Sequence, residues 1–430
     1  MNPDLVEVVR WAWEKAQRHN CKVLVNYTEN YTIGDVISFV AAQRTDKRFI
    51  WQRGKHYLAG GGQLWALAGG GLQDWRHSIE ALTGQWQGSC PPYWIGYLSF
   101  RQGGESCLWL PQWLVKDEQL LLWEWVLPRS SWQTVVERLQ SRLKLLRQGV
   151  AKKLTVGGGS AQVVVNDFVP WCQIVKQALA AIEREELVKV VLSRAVEVVG
   201  TEPFCPFGLL QQLGAVSEDC TLFLLEGKGG RTFVGATPEM LLQFRWQQDR
   251  LWLSSDALAG SSRRGEALLQ SKKDMQEHQI VIDSILSAYR SVGAAVADIP
   301  SPRIKELRDL QHLYTPLQGQ WLTTSWLDVF QLLAALHPTA AVGGKPKDRA
   351  LQFIAQGEPW DRESYAAPIG WVNGWGEGEF AVAIRSGYVS GNRVKLFAGA
   401  GIVRDSQVEK EWEETNLKLL GMLRALGLAE

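Results

Sequence analysis

Three residues near the end of the 430-residue chain, Glu411, Glu414 and Lys418, fall at i, i+3 and i+7 and share one face of a segment with helical periodicity. Two carboxylates and an ammonium converge there. A second predicted helix carries Asp274, Glu277 and His278 on one turn, just before the apolar run Ile280-Val281-Ile282. Carboxylates from two helices make a site for a hard cation, and Mg²⁺ usually takes one or two of them, with water and ligand oxygens filling its octahedron. For an isolated helix the alternative is a solvated face of ordinary Glu–Lys pairs, each worth little.

Other groups lie on predicted strands. Along Phe380 to Arg385 one face carries Phe380, Val382 and Ile384, the other Ala381, Ala383 and Arg385. The run Ala398 to Ile402 alternates Gly399 and Gly401 with Ala398, Ala400 and Ile402, so its backbone is open to close approach. Arg grips carboxylates with a two-pronged fork, and an acidic ligand across these strands is expected. A tight sheet–helix contact with Arg385 reaching to solvent is the other reading. Lys189 opens the apolar stretch Lys189 to Ser193, where a desolvated amine is available as a base. Glu239 follows Thr237-Pro238 at a strand break, where a carboxyl among apolar neighbours stays protonated and serves as an acid. Either residue alone also reads as a snorkelling surface charge.

The elements that must position these groups follow from periodicity. Helices are predicted over 131–148, 168–185 and 410–428, strands over 187–199 and over 231–246 with its break at Thr237-Pro238. A hairpin joins 380–389 to 394–403 through Ser390-Gly391-Asn392. Strands linked by short turns, with helices grouped rather than alternating, predict an α+β protein on antiparallel sheet. The text before residue 150 is mixed. LAGGG at 58–62 and again at 67–71 reads as two successive turns, and Gly157-Gly158-Gly159-Ser160 as a flexible joint between the halves 1–160 and 161–430.

Composition narrows the class. With 46% hydrophobic and 21% charged residues, net charge +1 and no Lys or Arg run, a globular protein is expected with neither nucleic acid nor membrane as partner. No apolar stretch approaches the ~20 residues that cross a bilayer; Leu120 to Leu127 is broken by Glu124. The N-terminus shows no secretory pattern, and the six cysteines have no CxxC pairing, so reduced thiols and a cytoplasmic location are expected. The 21 tryptophans read as bulky fillers of a core or an interface.

Taken together, the strings Lys189-Val-Val-Leu-Ser-Arg194, Phe233-Val-Gly-Ala-Thr-Pro-Glu239, Leu258-Ala-Gly-Ser261, Asp274-Met-Gln-Glu-His278, His312-Leu-Tyr-Thr315, His337-Pro-Thr-Ala340, Ile384-Arg-Ser386, Ala398-Gly-Ala-Gly-Ile402 and Glu411-Trp-Glu-Glu-Thr415 resemble the chorismate-utilising enzymes. That family comprises isochorismate, salicylate, anthranilate and aminodeoxychorismate synthases. The likeness runs from roughly residue 165 to 428; the first 150 or so residues match only loosely. It implies a large α+β sandwich of antiparallel sheets with outer helices, the two halves folded as one unit. It further implies a Mg²⁺ held by Glu277 and Glu414, supported through water by Asp274 and Glu411, and bound to the ring carboxylate of chorismate. Tyr365 and Arg385, helped by Gly399 and Lys418, would grip the enolpyruvyl carboxylate. His312 and Thr339 would line the ring pocket, and Gly260 and Ser261 would offer backbone contacts.

Within that family, members that add water carry a lysine where this chain has Lys189, as base, and a glutamate where it has Glu239, as acid. The covalent lysine frequent in aminodeoxychorismate synthases would fall at Ala259. The resemblance therefore implies an isomerase, an isochorismate synthase serving quinone (menaquinone or phylloquinone) or siderophore biosynthesis, and acting as a monomer. A salicylate synthase is the nearest alternative, an ammonia-using synthase subunit a more distant one. One local departure is Glu363-Ser-Tyr-Ala-Ala-Pro-Ile-Gly370, which replaces an Arg-Gly-Tyr-Gly-type text while keeping Tyr365.

Overall fold

Successive residues on the central strands enter different cores: Leu24 and Leu114 lie in one, and Val23, Val25, Trp113 and Val115 in the other. A sheet buried on both faces must be covered on both, and here the covers differ. On one side lie helices including Pro3–His19, Trp132–Gln148, Pro206–Val216 and Val408–Ala425, which contribute Leu5, Val135, Leu209 and Leu419. On the other lies a second sheet, whose Leu242, Phe244, Leu253 and Ile369 share a core with Leu192, Phe223 and Leu225 of the first. Helices Leu72–Thr83, Lys272–Ser291 and Val329–Leu336 pack into that shared core through Trp75, Ile282 and Leu332. The computed structural model describes residues 3–429 apart from 70, 88–89, 102, 150–152 and 218. Among the described residues every strand pairing is antiparallel except Val23–Asn30 with Trp86–Gln87. The expected α+β sandwich is thus the observed one.

Strands from before residue 150 and after residue 160 share both sheets: Phe49–Arg53 pairs with Thr221–Glu226, and Tyr93–Tyr97 with Pro368–Asn373. Trp75, Trp94, Trp109, Trp123 and Trp171 are buried in the shared core, as bulky fillers should be. The first LAGGG is not a turn. Its first four residues lie in the strand His56–Gly61, where a Cβ on Gly60 would meet the Trp113 carbonyl at 2.3 Å, so glycine there admits a neighbouring strand. The second spans residue 70, outside the described residues. The triple glycine at 157–159 is left-handed throughout and anchored, with the N–H of Gly158 donating to the Pro203 carbonyl at 3.1 Å.

The largest departure from expectation concerns 380–389. This run is two strands, Glu377–Val382 in the smaller sheet and Ser386–Ser390 in the larger, and only the second forms the expected hairpin with Arg393–Ile402. Between them Ala383-Ile384-Arg385 crosses from sheet to sheet, with Arg385 at φ +54°. The strict alternation read from sequence therefore stops before Arg385, whose direction is set by the crossing. A second crossing lies beside it: Thr232–Thr237 belongs to the larger sheet, Met240–Gln247 to the smaller, and Pro238-Glu239 bridges them. Backbone hydrogen bonds lace the two together, Val382 N–H to the Glu239 carbonyl and Ala236 N–H to the Arg385 carbonyl, both at 3.1 Å.

Candidate active site

Period-two alternation along Lys189–Val199 turns Lys189, Val191 and Ser193 to one side while Val190 and Leu192 enter the core. On the antiparallel partner strand Gly401 lies opposite Val191 and Gly399 opposite Ser193. These small residues wall a cavity that also receives Glu239, Gly260, Ser261, Glu277, His312, Tyr365, Arg385 and Lys418. A larger cavity, about 1050 Å³, opens elsewhere beside Trp51, Phe244 and Trp371 and receives none of these groups.

Glu239, at one crossing, is buried, and burial followed by the charge of Asp256 pushes its carboxyl up to about 8. It is protonated at neutral pH. Arg385, at the other crossing, donates from Nη2 to Nε2 of His312 at 3.0 Å and has no carboxylate partner among the described residues. Because a guanidinium only donates, Nε2 accepts, and the proton of His312 belongs on Nδ1, which faces Ser261 Oγ at 2.9 Å and the Gly260 carbonyl at 3.3 Å. Burial, then the charge of Arg385, holds this imidazole well below its usual range, so it is neutral. The Tyr365 ring stacks on Phe397 at 5.0 Å, and burial raises its hydroxyl to about 12.

The carboxylates come from two helices. Ser271 caps Lys272–Ser291 by accepting from the Asp274 N–H, and Glu277 follows one turn later. Glu277 faces Lys189, Nζ to Oε1 2.9 Å. Burial works to raise the Glu277 carboxyl, but Lys189, together with Lys418 and Lys273, outweighs it and holds the group below its ordinary value. On Val408–Ala425, Glu414 pairs with Lys418 at 2.5 Å, and Lys418 also donates to the Gly399 carbonyl at 2.9 Å. Glu411 pairs with Lys273 at 2.6 Å; burial and then Glu414 push it up to about 7. Asp274 is raised too, by burial and by the charges of Glu277 and Glu414, against its hydrogen bond from Ser271.

Of the residues singled out from sequence, Lys189, Asp274, Thr339, Glu411 and Glu414 do not line the cavity. Lys189 is fully buried behind Gly401, and Asp274 packs under Gly260. Thr339 lies behind Ala341 and Val342, accepting from the Ala341 N–H at 3.2 Å. Among the described residues no three His, Cys, Asp or Glu side chains are gathered as a ready metal cage. The donor set nevertheless suits Mg²⁺: two hard carboxylates suffice for that ion, and four acidic groups within reach of one another's charge are relieved by a divalent cation.

Across residues 11–427 the sequence matches the family described as chorismate binding enzyme. The chain belongs to that family. It is 38% identical over 267 residues to the isochorismate synthase MenF of Bacillus subtilis (strain 168), a match covering 60% of this chain and 55% of that protein. To the salicylate biosynthesis isochorismate synthase of Pseudomonas aeruginosa it is 36% identical over 298 residues, covering 66% and 61%. The matched stretches thus span less than two thirds of these two relatives. A solved structure, the menaquinone-specific isochorismate synthase MenF from Escherichia coli, superposes with TM-score 0.79 at 27% identity, covering 97% of this chain and 99% of that one.

For this chorismate-binding enzyme the residues that sequence reasoning passed over are those behind the site. Arg362, buried, donates to both oxygens of Glu358 at 2.8 and 2.5 Å and to the Val191 and Val342 carbonyls at 2.7 and 2.9 Å, while Glu358 takes the Ser193 N–H at 2.6 Å. The pair locks the cavity wall to the strand of Lys189. Its only sequence signal is opposite charge four residues apart in a loop. Arg362→Leu should lower stability by about 3–5 kcal/mol, because Glu358 is left buried and unpaired; urea unfolding checks this. In the loop that departs from the family text, Ala366 takes φ +62°, so a glycine-type backbone persists there without glycine.

Gly401 is a second sensitive point. A Cβ there would lie 2.3 Å from Glu277 Oε1 and 3.0 Å from Lys189 Cε, so Gly401→Ala must displace that ion pair. Turnover should fall on the order of a hundredfold, since ångström shifts of reacting groups cost that much. Steady-state kinetics alongside thermal unfolding would separate this from loss of fold.

Proposed function

We propose that this enzyme is an isochorismate synthase, converting chorismate to isochorismate by adding water at C2 and expelling the C4 hydroxyl. The observation that carries the reading is a protonated Glu239 exposed to the same cavity as Glu277, the partner of Lys189. Attack and departure occur at different ring carbons, so the reaction needs a base and an acid held apart. Lys189 acts in its neutral amine form: its Nζ lone pair takes a proton from water as the C2–O bond forms. The ring double bonds shift, the C4–O bond breaks, and Glu239 gives its proton to the leaving oxygen.

Chorismate is a dianion, and the cavity meets it with fixed donors. Arg385, with no carboxylate partner among the described residues, binds the enolpyruvyl carboxylate with Tyr365 and Lys418. His312, kept neutral by burial and by Arg385, lies at the ring without adding charge. Glu277 and Glu414 would hold Mg²⁺, with Asp274 and Glu411 behind them. The ion supplies a positive charge that neutralises and orients the ring carboxylate. Glu277 is the counter-ion of Lys189 and would also be a ligand in this scheme, so a bound cation would share its charge with the amine.

Purified protein incubated with chorismate and Mg²⁺, with products resolved by chromatography, tests the reading. Isochorismate is expected as main product, lost on addition of EDTA and regained with excess Mg²⁺. Salicylate with pyruvate as main products, or an amino product only when ammonium is present, would contradict it. Metal-independent turnover would remove the cation from the scheme. Quinone or siderophore biosynthesis is the pathway such a product enters. Among the described residues no helix is long and apolar enough to cross a membrane.

A further inference from the structure

The segment around Glu239 is clamped from all sides. Thr237 Oγ1 donates to the Val382 carbonyl at 2.6 Å and accepts from the Glu239 N–H at 3.3 Å, and Lys305 Nζ donates to the Pro238 carbonyl at 2.6 Å. On the far side the next residue, Met240, donates its N–H to Asp256 Oδ2 at 3.2 Å. Asp256 lies on the strand Arg250–Arg263 and its other oxygen accepts from the Tyr314 hydroxyl at 3.1 Å. Two carboxyl groups therefore flank one peptide at the crossing. They are not equivalent: Asp256 has two donors fixed on it, whereas no group among the described residues donates to the Glu239 carboxyl oxygens. Two neighbouring carboxyls do not both ionise readily; burial raises Asp256 as well, but Lys305 and the bonds from Met240 and Tyr314 favour its charged form, so Asp256 takes the charge.

We infer that Asp256 is a positioning residue for Glu239: it pins the crossing through Met240, and its negative charge keeps the proton on the neighbouring carboxyl. This rests on the reading of Glu239 as the acid. The other groups that face Glu239 are cationic or neutral, namely Lys189, Lys305, Lys418, Arg385 and Tyr365. Lys189, Lys305, Lys418 and Arg385 favour its ionised form, and after burial Asp256 is the largest influence opposing them.

Asp256→Asn keeps an acceptor for Met240 and removes the charge. The alkaline limb of its kcat–pH profile should move down by about one pH unit, with KM and melting temperature near those of the parent. An unmoved limb in a variant that melts normally overturns the inference. If that variant does not fold, Asp256→Ser carries the test: it too removes the charge and should move the limb the same way. No movement there is equally fatal. Glu239→Gln distinguishes the two levels. Normal turnover in it removes the acid and this inference together, whereas lost turnover with an unmoved Asp256→Asn limb removes Asp256 alone.

Discussion

Glu239→Gln should cut kcat by about a hundred- to ten-thousand-fold, the range for removing a positioned general acid, while KM changes little. The amide keeps the shape and loses the transferable proton. The parent enzyme supplies the complementary result. Burial and Asp256 push its Glu239 carboxyl up to about 8, so the group is protonated and neutral below that pH and ionised, with no proton to give, above it. Activity should hold from neutral pH and fall as pH rises through about 8. Rate–pH profiles of the two proteins check both statements together, because the residual rate of the variant should lack that limb.

Lys189→Ala is expected to be costlier, since it acts on chemistry and on fold. Removing the amine removes the proposed base, again about a hundred- to ten-thousand-fold in kcat. It also leaves Glu277 facing a buried gap where its counter-ion stood 2.9 Å away. Breaking one side of a buried pair costs about 3–5 kcal/mol. Lys189→Gln separates the effects: it fills most of the space and offers an amide donor, so stability should be largely regained while turnover stays low. Denaturant unfolding and kinetics on both variants read the two columns independently.

Local periodicity was enough to place the helix faces of Glu277 and Glu414 and the opposing glycines of the two long strands, because side-chain direction inside a regular element follows from residue spacing alone. It was not enough at the crossings. Arg385 and Glu239 lie where the chain leaves one sheet for another, and a change of sheet leaves no period in the sequence; it shows only as a left-handed Arg385 and a Pro before Glu239. Glycine posed the converse difficulty: Gly60 reads as a turn former yet serves inside a strand, its absent side chain admitting the Trp113 backbone. The supports behind the site, Arg362 with Glu358 and Asp256 with Tyr314, were illegible for another reason. A charged residue is ordinarily a surface residue, and only tertiary burial distinguishes these from the rest.

The source of the new hydroxyl is the most direct question to put to this site. Chorismate turned over in H₂¹⁸O, sampled at early times and analysed by mass spectrometry, should give isochorismate carrying one heavy oxygen, located at C2. Product free of the label would mean that the hydroxyl travels within the substrate, and a base that activates water, with an acid that discharges it elsewhere on the ring, would then have no place in the reaction.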